Sequence, residues 1–509
     1  MDDVFAPCYR RINGDTYELV DLSFSLQAAI TAAAGKRLYV IGTHTITAAI
    51  DIPNNTEIAL APGAIVQTST ANISLFTATG KTKVRITGSG KIKKTGTGTA
   101  AYVGGVVFNA CTNCHVEGVE FEGMQWAGVY LNAAIKCSVR GCHMTGWIGT
   151  VQDAADVIVY GNSTDCIVTG NWLYGGGAHG VLVQDPYTGL VPLRTLVSDN
   201  HIGQHTAYGV VVYAPGPGGA GNSFTQIVNN TVFNIQGTYP SNRSSGAGVY
   251  VAGSWAGGTL IQGNMINNCC AHTLDRNLTP AGIGINGIPV GAARPLIIGN
   301  TITEMAQGDG ILVASSTAGA AIRSNSIVMP STNAGAGAGG ATLLGCGIRV
   351  EAADNVTAEG NDVVVLGTGF GYFAYANGTD MTNTSLSGGS FSSVTSAALR
   401  TDKNGDYAIR SLLINGVRAK TIGDKSSAVM LSAVADGYLS NVVASCGAQP
   451  ALYINSCTQT RILGGSYLGT GAVNATAVGT CTGSFVDRSV FWGTDPAMLV
   501  NNATGLVVG

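Results

Sequence analysis

The chain has 509 residues, of which 72 are glycine, about twice the usual ~7% share. Only 11% are charged, against ~25% in an ordinary soluble domain, and the formal net charge is −3, which excludes the polycationic surface that a nucleic-acid binder needs. The 45% hydrophobic fraction excludes disorder, and no run approaches the ~18 to 20 apolar residues that span a bilayer, so neither nucleic acid nor a membrane is an expected partner.

The start, Met1-Asp2-Asp3, is acidic where a secretory signal would be basic, so no export signal is expected. The alanine-rich stretch Ser25 to Ala34, apolar on one face, predicts a short helix that caps the first open layer of whatever follows. Strands are predicted over Leu38 to Ile41, Thr45 to Ile52, Glu57 to Leu60, Ala64 to Gln67 and Val84 to Thr87.

From about residue 100 a unit recurs in which a small residue precedes alternating β-branched residues. Copies begin at Gly105, Gly128, Asp156, Gly180, Gly209, Gly248, Gly282, Gly310, Gly347 and Gly371, then more loosely at Ala398, Ala428, Ala451, Ala475 and Ala497. Successive starts lie 22 to 39 residues apart. Period-2 alternation places positions +1 and +3 of each unit inward and positions 0, +2 and +4 outward. A second unit, apolar-x-Gly-Asn-x-apolar, interleaves with it and lines up Asn171, Asn200, Asn230, Asn264, Asn300, Asn325 and Asn361 in one phase. Asparagine tolerates the left-handed turn, and stacked amides can hydrogen-bond from one repeat to the next. Five residues before that phase stand Cys114, Cys137, Cys166, Thr195, Thr225 and Thr259. Three thiols repeating in phase are explained as packing, so the Cys111, Cys114, Cys137 and Cys142 cluster with His115 and His143 is not expected to bind zinc, and the twelve cysteines are expected to be reduced thiols.

Short parallel strands repeated at this period describe an all-β parallel solenoid of about 16 coils. The expected division is 1–35 for the N-terminal segment and capping helix, 36–491 for the β-helix and 492–509 for a C-terminal tail that caps the open end.

The runs Leu26-Gln-Ala-Ala-Ile30, Leu38-Tyr-Val-Ile-Gly42, Ile52-Pro-Asn-Asn-Thr56 and Ala61-Pro-Gly-Ala64, with the coil alternation over roughly residues 25 to 500, resemble the pectate-lyase-like superfamily. The resemblance implies a right-handed parallel β-helix. In organisation it is most similar to phage tailspikes that cleave or bind surface polysaccharide, which implies a polysaccharide partner, a homotrimer and an extracellular or virion-associated setting. Neither the paired aspartates of polygalacturonase-like hydrolases nor an Asp-Pro-His-Asp segment of alginate epimerases is present; Gln184-Asp185-Pro186-Tyr187 echoes the latter in part.

The stacking register gathers Asp153, Asp156, His179, His205 and Tyr208 at the upstream edge of three consecutive repeats. Carboxylates beside histidine and tyrosine suit acid–base cleavage of a sugar linkage, and these five are the candidate catalytic residues. Tyr160, Gln184, Asp185 and Tyr213 at the other edge, with Tyr130, Trp126 and Trp172 from adjoining coils, are candidates for a glycan-binding platform. A second patch, Asp309, Arg349, Glu351 and Asp354, reads as an ordinary surface ion pair. Hydrolysis is slightly favoured over lyase chemistry because cations are sparse around the first cluster. No cofactor is expected, except that a lyase would need calcium, for which Asp153, Asp156 and Asp185 are the available ligands. The alternatives are a lyase acting on a uronic-acid polymer and a non-catalytic glycan-binding adhesin or structural rod.

Overall fold

The computed structural model describes residues 9–13, 16–19, 25–148, 153–175, 177–185, 189–215, 221–236, 246–269, 281–305, 308–314, 317–331, 334–336, 342–423, 425–469, 475–487 and 499–508. Two units can be described. The first comprises 1–218 with 222–235 and 239–241, and the second comprises 242–509 with 219–221 and 236–238.

In the first unit each turn of chain lays one short strand on each of three parallel sheets, named A, B and C here in the order the chain visits them. One coil shows the pattern: Ile167–Thr169 in sheet A, Trp172–Tyr174 in sheet B and His179–Gln184 in sheet C. Register is kept from coil to coil. Val106, Val129, Val157, Val181 and Val210 of sheet C stand one above the next, all fully buried. The second unit repeats the scheme, with Val249, Ile283 and Ile311 and then Ile348, Tyr372, Leu399, Val429 and Leu452 in the same inward column. Buried against the interior and flanked by the coils on either side, these inward positions favour β-branched and other apolar residues.

Turns on both sides of sheet A explain the two sequence ladders. The residue in the left-handed conformation is the one before each ladder position: Gly170, Asp199, Asn229, Gly263 and Gly299 before the asparagines, and Asn113, Lys136, Asp165 and Arg194 before the Cys and Thr positions. The ladder asparagines themselves are not left-handed, so the turn chemistry lies one residue earlier than expected. Their amides face inward and link coils. Asn171 Nδ2 donates to Asn200 Oδ1 at 2.8 Å and Asn200 Nδ2 to Asn230 Oδ1 at 2.9 Å, and the second unit repeats this through Asn264, Asn300, Asn325 and Asn361. Cys114, Cys137 and Cys166 are fully buried.

The helix spans Leu26–Ala32 and buries Leu26, Ala29 and Ile30. Gln27 ties it to the first strand of sheet C, its Nε2 donating to Asp51 O at 3.0 Å and its Oε1 accepting from Asp51 N at 2.8 Å. That pairing satisfies an open sheet edge. The stretch Thr45 to Ile52 is two strands, Thr43–Thr45 and Ile50–Asp51, in different sheets, because the coil turns a corner between them. The C-terminal segment continues the stack over its described part. Leu499–Thr504 and Val507–Val508 add parallel strands to sheets C and A.

The alternation departs from the expected phase at one position. Position 0 of the sheet C unit faces the interior, where a Cβ on Gly282 would lie 2.7 Å from Gly310 O and 2.8 Å from Ile302 Cγ2. A break in the pairing at this position lets two consecutive residues point inward.

Candidate functional site

The inward turn of position 0 decides where the sequence-predicted catalytic residues go. Asp156 occupies that position between Gly128 and Gly180, so its carboxyl enters the coil interior and is 2% exposed. His205, fully buried, meets it there, with Nε2 3.4 Å from Asp156 Oδ2 and 3.2 Å from Leu173 O. Burial holds the Asp156 carboxyl well above the usual carboxylate range and lowers His205 to about 4. His179 and Tyr208 open neighbouring strands of sheet C and stack with ring centroids 5.3 Å apart, while Asp153 Oδ1 lies 3.8 Å from His179 Nε2. The five predicted residues thus divide into an interior Asp156–His205 pair and an edge trio of Asp153, His179 and Tyr208.

The predicted binding residues divide as well. Trp126 and Tyr130 pack edge to face at 4.9 Å, Tyr160 joins Tyr130 at 5.8 Å, and Tyr102, which the sequence reading missed, completes the group at 5.2 Å from Trp126. Tyr102 is 56% exposed and presents the cluster to solvent. Gln184 stands between Tyr160 and Tyr213 in register, and Asp185 is fully buried. Trp172 is elsewhere, on sheet B, where it stacks on His201 at 4.6 Å. Among the described residues no group of three or more His, Cys, Asp or Glu side chains is placed to hold a metal ion, so Asp153, Asp156 and Asp185 are not gathered as a calcium site.

In the second unit, the patch that read as a surface ion pair is a buried constellation. Asp309 opens the strand Asp309–Ala314 and is fully buried; Arg349 and Glu351 project from the outer face one coil on, with side chains 12% and 17% exposed. The Arg349 guanidinium spans both acids, with Nη1 3.9 Å from Asp309 Oδ2 and Nη2 2.6 Å from Glu351 Oε2. Glu351 Oε1 also accepts from Asn377 Nδ2 at 2.7 Å, and Asp309 Oδ1 accepts from the Cys346 amide at 2.8 Å. Asp309 Oδ2 and Arg349 Nε are buried without hydrogen-bond partners. Burial raises Asp309 to about 6 against the opposing pull of Arg349.

An aromatic and charged wall continues this face. Arg349, Phe373 and Arg400 form one outward column, and Glu351, Tyr375 and Asp402 form the next. Arg349 lies over the Phe373 and Tyr375 rings at 5.9 and 6.0 Å, Arg400 lies over Phe370 at 4.9 Å, and Arg400 pairs with Asp402. Asp354 is not part of it; its carboxylate accepts from Thr382 in a turn. All of these columns occupy positions +2 and +4 of repeats that the sequence already displayed. The signal was three consecutive repeats carrying charge and aromatics at the outward phase of a chain otherwise poor in both.

A family model described as a right-handed β-helix region matches residues 84–285, and the right-handed parallel β-helix is the fold of the chain. No curated protein matches it in sequence. Among solved structures it is similar to the tailspike protein of Escherichia coli bacteriophage HK620 in complex with a pentasaccharide, at 13% identity and a TM-score of 0.45, over 95% of this chain and 76% of that one. It is also similar to the catalytic unit of a thermostable GH87 α-1,3-glucanase from Streptomyces thermodiastaticus, at 16% identity and a TM-score of 0.44, over 76% of this chain and 64% of that one. No helix among the described residues is long and apolar enough to cross a membrane.

Proposed function

We propose that the protein cleaves glycosidic bonds of a polysaccharide on the outer face of sheet C, with Asp309 and Glu351 of the second unit as its carboxyl pair. The observation that carries this is the Arg349 fork holding two carboxyls of opposite character. Asp309 is raised to about 6 by burial, as suits a proton donor, and Glu351 is positioned by Arg349 and Asn377. The two carboxyls share one guanidinium, Arg349 Nη1 lying 3.9 Å from Asp309 Oδ2 and Nη2 2.6 Å from Glu351 Oε2, which draws an acid and a base to one place as glycoside cleavage needs. Asp309 donates its proton to the leaving glycosidic oxygen as the bond to the anomeric carbon breaks. Glu351 assists the addition of water to that carbon, and the proton released restores the pair. Because Asp309 Oδ2 faces Arg349, engagement of the sugar includes a shift of that fork. Phe373 and Tyr375 supply the rings against which a sugar face packs.

The test is incubation of the protein and of Asp309→Asn and Glu351→Gln with a panel of capsular and exopolysaccharides, following new reducing ends. Cleavage by the parent and its loss in both variants is the expected result.

The edge trio supports a second reading, β-elimination from a uronic-acid polymer. His179 is nearly buried, its Nδ1 has no hydrogen-bond partner, and Asp153 lies at its other nitrogen. A histidine so placed can accept the α-proton. Ultraviolet absorbance of unsaturated products, lost in His179→Ala and kept in Asp309→Asn, would favour it. Binding without cleavage would leave a glycan-binding adhesin. Homotrimeric assembly belongs to the same proposal and is supported by the exposed apolar side chains Leu413, Tyr438, Val443 and Leu468 of the second unit.

A further inference from the structure

A groove of about 480 Å³ opens on the outer face of sheet A in the first unit, lined by Lys83, Arg85, Asn113, His115, Glu117, Ser138 and Arg140. It is built from three successive coils. Arg85, His115 and Ser138 stand in one outward column, and Glu117 and Arg140 in the next. Lys83 and Asn113 occupy left-handed turn positions just before the column, at φ of 53° and 54°. The groove therefore lies on a different sheet from the Asp309–Arg349–Glu351 constellation and the His179–Tyr208 edge, both on sheet C.

Its charge is unbalanced. Glu117 is matched by Arg85, whose Nη2 lies 3.5 Å from Glu117 Oε2. Among the described residues no carboxylate lies within ion-pair distance of Lys83 or Arg140; Arg140 Nε instead donates to Ser138 Oγ at 3.2 Å, and that oxygen also bonds His115 Nδ1 at 2.8 Å. His115 is thus held between two guanidinium groups. In a chain where 11% of residues are charged, three cations around one hollow with a single acid leave a local positive excess that an anion can complete.

We propose that this groove binds an anionic group, the carboxylate or sulfate of an acidic glycan, between Lys83, Arg140 and His115. Arginine forks and a lysine ammonium are the groups that recognise such oxyanions, and the Asn113 amide and Ser138 hydroxyl can pair with neighbouring sugar hydroxyls. The groove volume is that of a small-ligand site. A net charge of −3 disfavours a dense polyanion such as nucleic acid, whereas isolated charges on a sugar chain are tolerated. Burial, then Arg85 and Arg140, lower the affinity of His115 for a proton, so a bound anion must raise it again.

The experiment is an NMR titration of the His115 ring resonances in the full chain, with Asp309→Asn as the background so that the ligand stays intact. Trigalacturonate, maltotriose and inorganic phosphate are the three probes. The expected result is a saturable His115 shift with trigalacturonate, a higher protonation midpoint in the complex, no shift with maltotriose, and about tenfold weaker binding in Arg140→Gln. No shift with either anion would overturn the proposal, as would an equal response to maltotriose. A shift with phosphate but not with trigalacturonate would mean a free-phosphate site and would overturn the glycan assignment. Failure here leaves the sheet C proposal untouched, since the two are read by different groups.

Discussion

At the scale of single residues, one carboxyl is proposed for chemistry and another is embedded in structure, and pH separates them. Asp309 works as an acid only while protonated, so kcat is expected to fall as pH rises through about 6, the value burial gives it. Asp309→Asn and Glu351→Gln are each expected to lower kcat by ~10² to 10⁴ while melting within a few degrees of the parent. Asp156 is raised too, but it is enclosed with His205, and its signature is in stability. A carboxyl raised on folding contributes stability fully below its unfolded value of ~3.9 and loses it as pH rises. His205, depressed to about 4, contributes above its unfolded value of ~6.5 and loses it as pH falls. Asp156→Asn keeps a neutral group in place, so its melting temperature is expected to gain on the parent at pH 8 and not at pH 4, which thermal melts at the two values would show. If Asp156 were instead a catalytic group, Asp156→Asn would abolish turnover.

At the scale of the coil, the ladder amides carry more than the turn residues beside them. Asn200 donates to Asn230 Oδ1 and Val168 O and accepts from the Asn171 amide and side chain. Asn200→Ala leaves several buried groups unpaired, at ~1–3 kcal/mol each, and denaturant unfolding is expected to show a loss of at least ~3 kcal/mol. Asp199→Gly, at the adjacent left-handed position with φ of 56°, is expected to change stability by no more than ~0.5 kcal/mol. A reversed order would contradict this account of the ladder. The same coil shows what was legible beforehand. The phases of Asn200 and of Cys166 were visible because identical side chains recur. The left-handed residue was assigned one place too late because Gly, Asp and Asn share that position and blur its signature. Strands Phe76–Thr79 and Lys91–Lys94 do not stand out in the sequence, since the threonines of the first and the lysines of the second, including the buried Lys94, break the apolar alternation that marks a strand.

Across the whole molecule, fold and site were legible to different degrees for one reason. Repetition reports the coil many times over, while a site occurs once. The inward turn at position 0 is invisible when glycine fills it, so Asp156 read as an outward neighbour of His179 although the backbone sends it inside. Asp309 and Glu351, at opposite ends of strands in successive repeats, read as part of a surface ion pair, yet Arg349 bridges them. Assembly is testable at this scale: sedimentation equilibrium is expected to give three chains per particle, and a monomer would remove the trimer from the proposal. The central claim is that the Asp309–Arg349–Glu351 constellation cleaves a glycan. Its most direct test is reducing-end release from a polysaccharide panel by the parent, Asp309→Asn and His179→Ala, read together with ultraviolet absorbance. The account predicts new reducing ends without that absorbance, abolished by Asp309→Asn and retained by His179→Ala; cleavage that survives Asp309→Asn would contradict it.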